Sequence, residues 1–307
     1  MRNEVILGNQ SSAEYADTDF YQPQRGATSR MERRDHALNP SFVLTPDKTN
    51  LFVQDWGSGL PVLFLAAWTL DSSVWGSHIA SLVRHGFKCL AVDRRGHGRS
   101  DAPCFGYDLD TLAEDLSCVL EQKDLRDVVL VAHSMASIEA VRYCGTYGMD
   151  RIGRLILTSP TTPYLIQTPD NPDAVPIGAV EAQLDAIAED YPKWVAENEA
   201  PFFTPNTIPE TRNWIKNMML SVSLPVALAC RRTIAEADTR GDLGKITTRT
   251  LILHGDADAS APLDITGMKT AKLIQNSDLI VYPGAPHALP ITHRERFMAD
   301  VLRFIRS

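Results

Sequence analysis

The chain has 307 residues, 44% hydrophobic and 22% charged, enough apolar side chain to offset the conformational entropy of folding and to exclude disorder throughout. Its 30 Lys and Arg against 38 Asp and Glu leave a formal charge of −8, which repels phosphate backbones and excludes nucleic acid as an expected partner. The length allows one large α/β domain or two modest ones.

Residues 1–40 carry scattered apolar positions without helical or strand period, so they read as an N-terminal extension with no core of its own. That stretch lacks the basic-then-apolar order of a secretory signal. The five cysteines are odd in number, scattered and never spaced as C-x-x-C, which favours free thiols over disulfides or a zinc site. A cytoplasmic location follows by default. The longest apolar run, Leu60 to Trp68, falls far short of the ~18–20 residues that span a bilayer, so no membrane association is expected.

From Ser41 the pattern changes. Phe42 to Thr45, the turn Pro46 to Asn50, and Leu51 to Gln54 read as a hairpin. Pro61 to Ala67 is continuous and apolar, as in a strand buried on both faces. Lys88 to Val92, Val128 to Ala132, Leu155 to Leu157, Thr250 to His254 and Leu279 to Tyr282 are similar short runs. Between them lie helical segments. Thr111 to Gln122, for example, places Leu112, Leu116, Val119 and Leu120 on one face. Strand and helix alternate, which predicts an α/β fold with a mostly parallel sheet covered on both faces. Residues 160–238 break this rhythm, being rich in proline and helical stretches, and read as an inserted helical cap.

Three separated strings carry chemistry. Ala132-His133-Ser134-Met135-Ala136 follows a buried strand and precedes a helical segment, the setting of a nucleophile elbow, where small residues on either side let strand and helix approach. A serine hydroxyl needs a histidine base oriented by an acid. Both follow in order: His254-Gly255-Asp256-Ala257-Asp258 after one strand, and Gly284-Ala285-Pro286-His287 after the next. Asp258 lies 124 positions after Ser134, and His287 another 29 on. His133 should point away from the nucleophile. His254 reads as a core histidine, and His97 as part of a tight turn.

From about Asn50 to Ser307 the chain resembles an α/β-hydrolase, and more narrowly the cofactor-free haloperoxidase and aryl-esterase group. The resemblance rests on the strings above together with Trp68-Thr69-Leu70-Asp71-Ser72-Ser73-Val74-Trp75 and Asp93-Arg94-Arg95-Gly96-His97-Gly98-Arg99-Ser100. It implies Ser134 as nucleophile, His287 as base and acid, and Asp258 as the orienting carboxylate, with Asp256 its rival in the same loop. It also implies an oxyanion hole from the Trp68 and Met135 backbone N–H groups, with no metal or other cofactor. This chain has Ala66-Ala67 where such enzymes usually have His-Gly, and Ala132 and Ala136 where they have glycines. If position 67 takes φ > 0, alanine costs about 1–2 kcal/mol there and turns the Trp68 N–H aside.

The expected reaction is hydrolysis of a small, largely apolar carboxylic ester or lactone through an acyl-enzyme. Thr69, Phe203, Trp214, Met218 and Leu289 are expected to line its pocket, although large apolar residues in the cap serve packing equally well. Three other readings remain: a haloperoxidase-type perhydrolase, a cofactor-independent dioxygenase, and a catalytically weakened ligand-binding homologue. The dioxygenase would need an acid where this chain has Ser159. Oligomeric state is open, a homo-oligomer included.

Overall fold

A computed structural model describes residues 41–307, so the expected N-terminal extension lies outside the described residues. Eight strands form one sheet: β1 (Phe42–Leu44), β2 (Asn50–Gly57), β3 (Pro61–Leu65), β4 (Lys88–Val92), β5 (Val128–His133), β6 (Ile152–Thr158), β7 (Thr250–Gly255) and β8 (Ser277–Tyr282). Their order is β1-β2-β4-β3-β5-β6-β7-β8. The pairs β1/β2 and β2/β4 are antiparallel and the rest parallel. The apolar run expected as one strand to Ala67 stops at Leu65; Ala66 and Ala67 stay buried but begin a loop.

The helices are α1 (Gly76–Arg84), α2 (Leu109–Gln122), α3 (Ala136–Tyr147), α4 (Ile177–Glu189), α5 (Tyr191–Glu197), α6 (Pro209–Ser221), α7 (Leu224–Glu236), α8 (Arg240–Leu243), α9 (Gly267–Leu273), α10 (Leu289–Thr292) and α11 (Arg294–Arg306). Local chemistry starts several of them. Asp108 caps α2 by accepting the Thr111 N–H at 3.0 Å, and Asp190 caps α5 by accepting that of Lys193 at 3.0 Å.

Strand alternation divides the core between the two faces of the sheet. Val129 and Val131 of β5 pack with Trp75, Leu82, Phe297 and Phe304, under α1 and α11. Leu130 and Ala132 pack on the opposite face with Leu116, Leu120 and Val141, under α2 and α3. Both faces are therefore sealed, and the central strands read as uninterrupted apolar runs for that reason. Helices α4 to α7 lie between β6 and β7 in the chain. Tyr191 and Val195 of α5 and Val226 and Cys230 of α7 pack with Met135 and Ile138 of the body, whereas Ile215 and Met218 of α6 join the core that holds Trp75 and Phe297. All five cysteines are free thiols, and among the described residues no single helix is long and apolar enough to cross a membrane.

Candidate active site

Ser134 sits where β5 turns into α3, at φ 56°. This left-handed conformation costs a non-glycine residue about 1–2 kcal/mol and persists because its surroundings over-determine it. The Ser134 N–H donates to Thr158 O at 3.0 Å, continuing the strand ladder, while its carbonyl accepts the Ser137 N–H at 2.8 Å and the Ser137 hydroxyl at 2.5 Å. Ala132 and Ala136, flanking the turn, are fully buried in the core beside Ala140. A methyl group fits at both places.

His287 lies in the loop between β8 and α10. Its Nε2 is 2.7 Å from Ser134 Oγ, and its Nδ1 is 2.7 Å from Asp258 Oδ2. A neutral ring satisfies both bonds by donating from Nδ1 to the carboxylate and accepting the serine hydroxyl at Nε2. Asp258 follows β7 and has each oxygen engaged: Oδ1 accepts the backbone N–H of Ser260 at 3.0 Å and of Ala261 at 2.8 Å. Oδ2 also lies 3.2 Å from His254 Nε2. Burial alone would raise the Asp258 pKa, but the field of His287 and the bonds from His254 and His287 hold it well below the usual carboxylate range. Asp256, the rival, is instead on the other side of the loop, where Oδ1 accepts the Gly284 N–H at 2.6 Å and braces the turn leading to His287.

The other histidines support this row. His133 donates from Nε2 to the His287 backbone oxygen at 3.0 Å, and His254 donates from Nε2 to Ala261 O at 2.8 Å. Asp258, His254 and His133 thereby fix His287 from two sides.

The loop after β3 departs from expectation. Ala67 is not left-handed; the residue with positive φ is Thr69, at 59°, inside a turn closed by Leu70 N–H to Ala67 O at 3.1 Å. The strain anticipated at Ala67 is therefore absent. Arg94 holds the loop by donating to Ala66 O at 2.8 Å and Ala67 O at 3.4 Å while its Nε pairs with Glu139 Oε1 at 2.5 Å. His97 accepts the Thr69 N–H at Nε2, 3.2 Å, and donates from Nδ1 to Arg95 O at 3.0 Å. Among the described residues, the backbone N–H groups of Trp68 and Met135 donate to no protein acceptor. Met135 also opens the 12-residue helix α3, whose N-terminal end favours negative charge.

Above this row lies a cavity of about 620 Å³, bounded by His287 and Trp68 and, from the segment between β6 and β7, by Trp194, Phe202, Phe203 and Met219. Trp194 meets Trp68 edge to face at 5.6 Å, and the Phe202 ring is 5.6 Å from that of His287. Of the expected lining residues only Phe203 is on the wall. Thr69 is buried beneath it, its hydroxyl donating to Trp68 O at 2.7 Å. Met218 is core, with its sulfur facing the Asp71 N–H at 3.2 Å, and Leu289 is buried below. Trp214 is 43% exposed. At ~100° per residue, Trp214 stands roughly 200° around α6 from the cavity-lining Lys216, which is why it faces outward. The wall also holds Gln183, Glu199 and Arg231, polar residues that apolar patterning could not single out.

The sequence model of the family described as "alpha/beta hydrolase fold" matches residues 61–294. The chain belongs to the α/β-hydrolase fold family. This hydrolase is 34% identical over 270 residues to a non-heme chloroperoxidase of Kitasatospora aureofaciens, covering 86% of this chain and 98% of that one. It is 32% identical over 275 residues to a bifunctional esterase/perhydrolase of Acinetobacter calcoaceticus, covering 87% and 99%. Among solved structures it superposes on an esterase from Exiguobacterium antarcticum with a TM-score of 0.84 at 28% identity, covering 87% and 99%. The hydrolase thus resembles the haloperoxidase and esterase group along nearly the whole length of those relatives.

Proposed function

We propose that this hydrolase cleaves a small carboxylic ester or lactone through an acyl-enzyme on Ser134. The observation that carries the reading is the continuous row from Ser134 Oγ through His287 to Asp258, with both links at 2.7 Å, beneath a cavity walled by aromatic and polar side chains. As Ser134 Oγ attacks the carbonyl carbon, His287 Nε2 takes its proton, and Asp258 stabilises the imidazolium that forms. The tetrahedral oxyanion is received by the unengaged Trp68 and Met135 amides. His287 then protonates the departing alkoxide, leaving the acyl ester on Ser134. Water, activated by the same nitrogen, attacks that ester, and the acid departs as the serine regains its proton. The proposed partner is the small-molecule substrate, and the free thiols support a cytoplasmic location.

The test is labelling by a fluorophosphonate together with turnover of p-nitrophenyl esters. Wild type should be labelled at Ser134 and active; Ser134→Ala should be neither, and full activity in that variant would end the proposal. A second reading draws on the Acinetobacter relative, named both esterase and perhydrolase. Hydrogen peroxide in place of water would release a peracid from the same acyl-enzyme. Halide oxidation that depends on both peroxide and an added carboxylic acid would support it, and oxidation without the acid would not.

A further inference from the structure

Three cavity-lining side chains besides His287 carry ionisable groups: Glu199, Lys216 and Arg231. The first two neutralise each other, with Lys216 Nζ 3.0 Å from Glu199 Oε2. Arg231, on α7, pairs with no carboxylate among the described residues. Its Nε donates to Gln183 Oε1 of α4 at 2.8 Å and its Nη2 to the same oxygen. Nη1 is sealed from solvent and has no hydrogen-bond partner among the described residues. One neutral carbonyl oxygen therefore serves two of five N–H donors, and the positive charge stays uncompensated in the cavity wall.

A buried cation without a counter-charge is costly to the fold, and cavities that hold one recover that cost when an anion binds. Burial pulls the Arg231 pKa down to about 10, so the guanidinium is still charged at neutral pH. Gln183 engages the Nε and Nη2 edge, so an anion is received at Nη1, which turns out of its covered position to reach the cavity. Both residues come from helices between β6 and β7, whereas Ser134 and His287 follow β5 and β8. A molecule in contact with both walls meets the Ser134–His287 row at one end and Arg231 at the other.

We propose that Arg231 is a specificity-determining residue and that the substrate is an ester or lactone bearing a carboxylate, in the manner of a dicarboxylic acid half-ester. This rests on the ester-hydrolase reading above and replaces the largely apolar substrate expected from the sequence with an anionic one. The chain's overall charge of −8 does not oppose it, because the field inside a low-dielectric cleft is set by the groups that line it.

The test compares monomethyl esters of dicarboxylic acids, and acetyl esters of ω-hydroxy acids, with neutral esters of equal length. Wild type should prefer one anionic series by about tenfold or more in kcat/KM at an optimal length, the size expected of a charged hydrogen bond. Arg231→Met should lose that preference, kcat/KM for the anionic series falling about tenfold more than for the neutral esters, and Arg231→Lys should keep part of it. Equal or better turnover of the neutral esters by wild type would overturn the proposal, as would a loss in Arg231→Met that falls on both series alike. Should Arg231→Met fail to fold, competitive inhibition of wild type by the free dicarboxylates decides: inhibition stronger than that of neutral diamides supports the proposal, and equal inhibition overturns it. Failure of the ester reading itself looks different, since then no ester is turned over and Ser134 stays unlabelled.

Discussion

The Thr69 backbone N–H donates to Nε2 of His97 at 3.2 Å, across 28 positions of chain. That bond and the Arg94 contacts to Ala66 and Ala67 carry the conformation that a glycine would otherwise allow after β3. His97 can accept only while neutral, and burial, with Arg94 nearby, pulls its pKa down to about 3, so the acceptor persists across the working range. His97→Ala should let the turn relax and misplace the Trp68 amide. We expect kcat to fall about 10–100-fold with KM nearly unchanged, somewhat less than complete loss of one oxyanion donor. Steady-state kinetics on p-nitrophenyl acetate check this, and an unchanged kcat would remove the Trp68 amide from the mechanism.

Ser134 holds its left-handed backbone at a cost that glycine does not bear. Ser134→Gly and Ser134→Ala both lose the hydroxyl, so comparing them isolates the backbone. The glycine variant should be the more stable by about 1 kcal/mol, or a melting temperature higher by roughly 2–4 °C. Both should lose about 10⁴-fold or more in kcat. Equal melting temperatures would mean the turn is not strained.

His78, His97 and His133 are buried, and burial is the main cause that lowers them to about 4, about 3 and about 3. In the unfolded chain histidine titrates near 6.5. Between those values the unfolded state holds protons that the folded state lacks, so stability rises with pH. The contribution is complete above about pH 6.5 and is lost on acidification, each histidine adding up to about 1.4 kcal/mol per pH unit. Asp258, lowered as well, has the same sign but acts only below about pH 4. Urea midpoints taken near pH 7.5, 6 and 5 should fall progressively, most steeply in the last interval. A flat profile would contradict the neutral, buried state of these rings.

Gly267, the first residue of α9, leaves no room for a side chain: a Cβ there would lie 2.3 Å from His254 Nδ1. His254 in turn contacts Asp258. Gly267→Ala should therefore destabilise the fold by about 1–3 kcal/mol, as overpacking does, and lower kcat because the displaced ring shifts the carboxylate. Thermal melting and kinetics together check it; a destabilised variant with full kcat would show that His254 braces the fold but not the site.

The sheet was legible because its central strands are buried on both faces, and β4 runs from Lys88 to Val92 as its apolar run does. The residues of the row were legible because Ser134, Asp258 and His287 each follow a strand, in the order such chemistry needs. What escaped were conformations and lone polar groups. Nothing in Ala66-Ala67-Trp68-Thr69 says that the left-handed residue is Thr69, since that depends on Arg94 and His97 closing on the loop from β4. Trp214 and Met218 share a helix with Met219, and small angular differences around α6 decide which faces the cavity. Arg231 followed by Arg232 reads as a solvated helix face, yet only Arg232 is exposed.

The edge-to-face pair of Trp68 and Trp194 gives the protein an optical property of its own. Of its five tryptophans, Trp56 and Trp214 are open to solvent, Trp75 is deep in the core, and these two form part of the cavity wall. A soluble quencher such as iodide reaches the first two whether or not the cavity is filled. Emission that survives such quenching and still responds to a ligand therefore comes from the pair beside Ser134, so occupancy of the site can be followed in the unlabelled protein, before any bond is broken.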